Sequence, residues 1–298
     1  TSYQNYEKIP EKNLLLSKVE MKMNSMKKTK NNNKVSGIIY LGNDLHNENM
    51  LKIFKKCSYS NPLHPDLFPA IREMEIDIIN MVKDLYKGDD NCCGNITYGG
   101  TESILLCCVT YRDYYKDKYN IDNPNMVCFN SVHPAFDKAC HYFNIKMIKV
   151  SNLKEMDNNI NKNTIMIVAS CPEYSHGLID PISDMNKMAL ERNVSFHVDC
   201  CMGGFLIPFI KNYKYINFSL RGISSFSIDT HKYGYSLKGS SVLLFKNREI
   251  KKYQHFIKKD WCGGVYATPT LMGSKSGGLI ASTWSSLLMI GKKKRRSA

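Results

Sequence analysis

A chain of 298 residues with 43% hydrophobic and 11% aromatic residues carries enough apolar surface for one large core, or one large and one small domain, which excludes a disordered chain. No apolar run approaches the roughly 20 residues a membrane-spanning helix needs, and no secretory signal pattern opens the sequence. The formal net charge of +14 invites a nucleic-acid partner, but the cations crowd into Lys18–Lys34 and Lys292-Lys293-Lys294-Arg295-Arg296 without the interleaved aromatics of a base-reading surface. They fit solvated charge, or attraction to anionic lipid headgroups or a phosphorylated substrate.

In chain order, residues 1–34 are polar and rich in Lys and Asn, with a helix expected over Lys12–Met26. We read 1–40 as an N-terminal helical arm, 41–291 as one large domain and 292–298 as a basic tail. From Pro69 to Tyr86, the apolar residues Ile71, Met74, Ile78, Ile79, Val82 and Leu85 recur at the spacing of an amphipathic helix. Beyond it strands and helices alternate. A helix over Thr101–Tyr119 follows the Gly99-Gly100 turn, then a strand over Met126–Asn130 and a helix over Pro134–Phe143. Strands are expected at Lys146–Val150 and Thr164–Ala169, a helix at Ser183–Arg192, and strands at Val194–Asp199, Ser224–Ile228 and Ser240–Phe245. Apolar strands that run without polar alternation, separated by helices, indicate an α/β fold whose mostly parallel sheet is covered on both faces.

The eleven cysteines include three adjacent pairs and no C-x-x-C spacing, so neither a zinc ribbon nor a secreted disulfide framework is indicated, and reduced thiols are expected. His197 and Asp199 have the spacing of a metal pair, but no third ligand lies near them in sequence.

Residues that carry chemistry in such sheets collect at strand ends and in the loops beyond them. Asp199 ends a strand, His133 follows one, and Lys232 follows another, within Asp229-Thr230-His231-Lys232-Tyr233-Gly234. Gly99-Gly100-Thr101-Glu102-Ser103 opens a helix, where glycines allow close approach and unpaired N–H groups offer an anion site. Each feature also has a plain structural explanation: a turn with an N-cap, an Asp capping a turn, a His at a helix start, a solvated Lys. An anion cradle, an aromatic imidazole, a strand-end carboxylate and a lysine in this order together suit a pyridoxal 5'-phosphate (PLP) enzyme.

Further stretches extend the pattern: Ser36-Gly37-Ile38-Ile39-Tyr40, Ser60-Asn61-Pro62-Leu63-His64-Pro65-Asp66, HVDCCMGGF (197–205), DTHKYGYSLKGSS (229–241) and DWCGGVYATPT (260–270). With these the chain resembles the group II decarboxylase branch of fold-type I PLP-dependent enzymes, most of all its sphingosine-1-phosphate lyase family, from about Pro10 to Gly291. The resemblance implies a PLP-binding large domain of the fold-type I transferase-like class. It makes Lys232 the Schiff-base lysine, Asp199 the partner of the pyridine nitrogen, and His133 the residue stacked on the ring. Gly100, Thr101 and His231 would bind the cofactor phosphate, with Gly273 and Ser274 reaching it from a neighbouring subunit of a homodimer. Tyr40, Asn61, His64 and Lys238 would form the pocket for the substrate phosphate.

The implied reaction is retro-aldol cleavage of the C2–C3 bond of a sphingoid-base phosphate, with His133 or a nearby tyrosine as base. An amino-acid decarboxylase of the same cofactor geometry is the alternative, as is a non-catalytic homologue that binds lipid or a partner through its basic termini. Cys200 stands where the family usually has Ala, Pro134 where Ala is commoner, and Ser occurs in 273–278 where Pro is common. Fold-type I enzymes ordinarily continue into a small C-terminal domain, so that domain is expected to be largely missing. The start at Thr1 leaves room for an upstream membrane anchor, and the family implies a cytosol-facing protein at the endoplasmic reticulum membrane.

Overall fold

The structure, a computed structural model, describes residues 8–26 and 37–296; the basic stretch 27–36, the Ser36 of the first motif and the last two residues lie outside it. The chain divides into two units, Thr1–Ile39 and Tyr40–Ala298. The first holds helix α1 (Leu16–Ser25), shorter than expected from the sequence and without a side-chain N-cap or a buried residue.

The second unit is built on a sheet of seven strands: β1 (Cys93–Thr97), β2 (Asn125–Phe129), β3 (Lys146–Val150), β4 (Thr164–Ser170), β5 (Ser195–Asp199), β6 (Ile223–Ile228) and β7 (Ser241–Phe245). Their spatial order is β1-β7-β6-β5-β4-β2-β3. Strands β3, β2, β4, β5 and β6 run parallel, whereas β7 is antiparallel to both β6 and β1.

Every residue of β4, β5 and β7 is buried, which is why these strands read as unbroken runs rather than as alternating ones. One face carries α4 (Gly100–Tyr119) and α5 (Ala135–Phe143), with Ile104, Leu106, Tyr111 and Phe136 packed on Met126, Met166 and Leu243. The other face is covered by α3 (Pro69–Leu85), α7 (Ile182–Glu191) and α9 (Gly277–Arg296), through Ile78, Val82, Met185 and Ile280. Helices α2 (Asp44–Cys57), α6 (Leu153–Asn159) and the short α8 (Arg248–Lys251) complete the described set.

Local chemistry sets the helix boundaries. Pro69 occupies the first turn of α3, where its missing N–H costs nothing. Asn120 and Asn144 end α4 and α5 in the left-handed conformation, each at φ 54°. Helix α9 has a non-helical Gly291 at φ 59° and resumes as far as Arg296, so the basic stretch continues a helix. All eleven cysteines are free thiols, ten of them buried or half-buried.

Several helices and strands had no clear sequence signal, among them α2, α6, α9 and β1. Helix α2 leaves half of its residues exposed, β1 mixes Gly and Asn into a five-residue strand, and all six residues of β8 (Phe256–Trp261), which pairs with β9 (Gly264–Thr268), are exposed.

Phe226 is fully buried at the centre of the α3-side core, its ring 4.6 Å from that of Tyr86 and 4.9 Å from that of Phe218. Phe226→Ala is therefore expected to cost about 3–5 kcal/mol of stability. Denaturant unfolding followed by circular dichroism measures the loss; a cost below about 1 kcal/mol would place Phe226 outside the tightly packed core.

Candidate active site

The parallel strands end in register. Asp199, the last residue of β5, pairs with Ser170 on one side and Ser227 on the other. A carboxylate at 6% exposure needs donors, and it has two, both on Oδ1: the Cys201 N–H at 2.9 Å and the Ser227 hydroxyl at 3.0 Å. Among the described residues no donor engages Oδ2.

Behind it lies a polar chain that sequence reasoning missed. His197 Nε2 is 3.2 Å from Ser227 Oγ and its Nδ1 is 2.8 Å from Ser225 Oγ, which in turn receives the Tyr111 hydroxyl at 2.8 Å. His197 thus steadies the serine that steadies Asp199. Both of its ring nitrogens are taken up by serine hydroxyls, and among the described residues no three His, Cys, Asp or Glu side chains converge as ligands.

Lys232 lies in the turn after β6. That turn is tight enough that a Cβ on Gly234 would come within 2.2 Å of the Thr230 carbonyl oxygen, so only glycine fits. The Lys232 ammonium is 3.1 Å from Asp229 Oδ2. Burial alone would lower its pKa, but the carboxylate of Asp229, then Cys201 and Asp199, outweigh burial and push it up to about 12. His231 places Nδ1 at 2.7 Å from the Ser240 carbonyl oxygen, which can only accept, so Nδ1 carries a proton. Burial lowers the His231 pKa despite the neighbouring Asp229.

Gly99, at φ +93°, turns the chain from β1 into α4 and presents the first N–H groups of a 20-residue helix. Glu102, a motif residue without an assigned role in the sequence, closes this turn from within: Oε2 accepts from Tyr98 N at 2.5 Å, and Oε1 from Met272 N at 3.2 Å.

These parts enclose one cavity of about 260 Å³ whose walls include Gly100, Thr101, His133, Asp199, His231 and Lys232. Glu173 and Tyr174 also line it, from the loop after β4. Glu173 is buried and accepts from Leu178 N at 3.4 Å, His176 N at 2.7 Å and Ser175 N at 2.6 Å; against burial, these bonds hold its pKa down and fix Tyr174 at the wall. His133 is exposed, and its Nδ1 accepts from Ala135 N at 3.1 Å, so it caps α5 as well as lining the cavity.

The remaining sequence-derived residues lie outside the cavity lining, in two groups. The Lys238 ammonium sits 5.2 Å above the Tyr40 ring, near enough to Lys232 that burial and this second ammonium lower the Lys238 pKa. Asn61 Nδ2 donates to Ser274 Oγ at 3.1 Å, and its Oδ1 accepts from Lys275 N at 3.1 Å and Leu63 N at 3.2 Å. Gly273 is half-buried, while Ser274 and His64 are exposed.

The donors present fit PLP: an amine, a carboxylate with one uncommitted oxygen, an imidazole at the wall, and a helix start beside a histidine. Asp229, buried to 3% exposure, has Oδ1 without a hydrogen-bond partner among the described residues, an acceptor that the cavity's own side chains leave unused.

Buried His197 has its pKa lowered to about 4, chiefly by loss of hydration. The unfolded chain, with an ordinary histidine near 6.5, takes the proton first. The stability this supplies is whole above about pH 6.5 and is lost as pH falls toward 4. His197→Gln is expected to remove that part of the slope, so the gap between wild type and variant in urea midpoint narrows from pH 7 to pH 5. An unchanged gap would mean that His197 does not titrate as a buried neutral group.

The conserved domain of pyridoxal-dependent decarboxylases matches residues 59–262. Sphingosine-1-phosphate lyase 1 of Rattus norvegicus is 43% identical over 271 residues, covering 87% of this chain and 48% of the relative. The chain therefore spans about half the length of the curated relatives it matches. The solved sphingosine-1-phosphate lyase of Burkholderia pseudomallei superposes with a TM-score of 0.92 at 32% identity, over 98% of this chain and 72% of that one. Glutamate decarboxylase of Lactobacillus brevis, with a TM-score of 0.85, 19% identity, and coverage of 99% of this chain and 72% of that one, shares the fold. The matched domain and the likeness to the Burkholderia enzyme establish that the chain belongs to the pyridoxal-dependent decarboxylase family, in its sphingosine-1-phosphate lyase branch.

Proposed function

We propose that this chain takes part in PLP-dependent cleavage of the C2–C3 bond of a sphingoid-base phosphate, releasing a long-chain aldehyde and phosphoethanolamine. The observation that carries the reading is the single cavity in which Lys232, Asp199, His133 and the start of α4 meet, with the Tyr40–Lys238 pair beside Lys232. Bound PLP supplies an electron sink for the carbon that loses its bond. Lys232 offers the amine that would hold it, and Asp199 Oδ2 a carboxylate that keeps a ring nitrogen protonated. Gly100, Thr101 and His231 would take the cofactor phosphate. Because His231 Nδ1 is committed to Ser240, its Nε2 donates to an anion only as imidazolium, which a phosphate dianion would favour.

His133 accepts a backbone N–H at Nδ1, so its neutral ring carries the proton on Nε2. We therefore assign it a role as ring neighbour and donor to a substrate oxygen, not as the base that takes the hydroxyl proton. Tyr40 and Lys238 would bind the substrate phosphate, a phenol and an ammonium suited to a dianion. Asn61, bound to Ser274, belongs with Gly273 and His64 on a separate patch. That placement supports a homodimer in which this patch serves the neighbour's site. The reading includes attachment at the endoplasmic reticulum membrane through segments other than the described helices, none of which is long and apolar enough to cross a bilayer.

The test is incubation with PLP and a sphingoid-base phosphate, with aldehyde and phosphoethanolamine followed by mass spectrometry. Both products are expected, and none from Lys232→Ala; carbon dioxide from an amino acid in their place would favour the decarboxylase alternative. Lys238→Ala is expected to raise KM for the phosphorylated substrate about 10- to 100-fold, the worth of one charge-assisted hydrogen bond. An equal effect on a non-phosphorylated sphingoid base would remove Lys238 from the phosphate site.

A further inference from the structure

Asp229 is a third buried carboxylate in the cavity, after Asp199 and Glu173, and has no part in the scheme above. Its Oδ2 lies 3.1 Å from Lys232 Nζ and 3.7 Å from His231 Nε2. Its Oδ1 is buried and has no hydrogen-bond partner among the described residues. The carboxylate packs on the first residue of α4, since a Cβ on Gly100 would lie 2.9 Å from Oδ1 and 3.0 Å from Oδ2. The N-terminal end of a 20-residue helix favours negative charge at that position. An orphaned buried oxygen is costly unless it has work to do.

We propose that Asp229 is the positioning residue for Lys232: it anchors the ammonium inside the cavity as a fixed counter-charge and so restrains the free amine. His231 Nε2 is the second group on the same carboxylate. The role rests on the PLP reading of the cavity, although the ion pair itself can be tested without cofactor.

The other groups acting on Lys232 are Asp199 at the end of β5, which adds to the negative side, and the Cys201 thiol in the turn after it, which burial keeps protonated. Tyr40 and Lys238 lie near it as well. Asp229 is the closest and strongest of these, and it holds the Lys232 pKa up at about 12 against burial. Without it, burial and the Lys238 ammonium would both favour the neutral amine, and Lys232 would react at lower pH.

The PLP-free chain is pulse-labelled with acetic anhydride between pH 7 and 10, and acetylation at Lys232 is quantified by mass spectrometry. In the wild type, Lys232 is expected to label at higher pH than an exposed lysine such as Lys162; labelling at the same pH or lower overturns the proposal with no variant needed. Asp229→Asn, with its fold checked by circular dichroism, is expected to label at Lys232 at least about tenfold faster at pH 8, one pKa unit being a factor of ten. Asp229→Glu, which keeps the charge, should stay near the wild-type rate. Equal rates in folded Asp229→Asn and wild type would overturn the proposal. Borohydride reduction of wild type with PLP tests the underlying reading separately: failure to find a pyridoxyl group on Lys232 would sink the cofactor assignment whatever the acetylation profile.

Discussion

A carboxylate at the edge of a dry sheet is tolerated only where donors are already waiting for it, and the architecture around Asp199 meets that demand. Strands β4, β5 and β6 must run parallel and stop in register so that Ser227 stands beside Asp199. His197, two residues back on the same buried strand, bonds to Ser227 and Ser225, and Tyr111 of α4 reaches the same serine. A helix on one face of the sheet is thereby tied to a carboxylate at its edge. Both Asp199 donors share one oxygen, so the sheet fixes the group while leaving its other oxygen available.

The charges in the cavity follow from the same edge. Asp199 and Asp229 end or follow adjacent parallel strands, and Lys232 is the cation that faces them from the turn. The ammonium survives burial because carboxylates stand against it: Asp199 is fixed by strand register and Asp229 directly follows β6, whereas Lys232 lies on a turn whose shape depends on Gly234. A basic chain overall, this protein is locally acidic where its chemistry is proposed to occur. Net charge therefore says little about the site.

The sheet was legible because full burial leaves an unmistakable pattern: each strand read from the sequence appears within one residue of its expected ends, as do the helices from α3 to α7 that were expected. The exposed β8–β9 hairpin offered no such pattern, since none of the six residues of β8 is buried. At the site, Asp199, Lys232 and His133 could be found because strand ends bring them together. Asp229 was not found, since an Asp three residues before a Lys reads as an ordinary turn residue. The bond between Asn61 and Ser274 joins positions 213 residues apart, and no local pattern encodes it. The sequence resemblance named both residues without the reason that they belong together.

The segment around Ser274 is held more firmly than an exposed stretch requires. Glu102 receives Met272 N, Asn61 receives Lys275 N, the Tyr98 hydroxyl receives Ser276 N, and the buried Lys275 ammonium lies 3.7 Å from Glu75. Ordering a chain costs about 1–2 kcal/mol per residue, so such fixation favours a segment that must meet another surface already shaped. Two of these ties come from Tyr98 and Glu102, immediately beside Gly99, Gly100 and Thr101 at the start of α4. One helix start thus shapes the proposed anion cradle of this chain and also fixes the segment proposed to serve a neighbour. A change in the Glu102 turn would be felt on both sides of the proposed dimer, which ties cofactor binding and assembly to the same few backbone bonds.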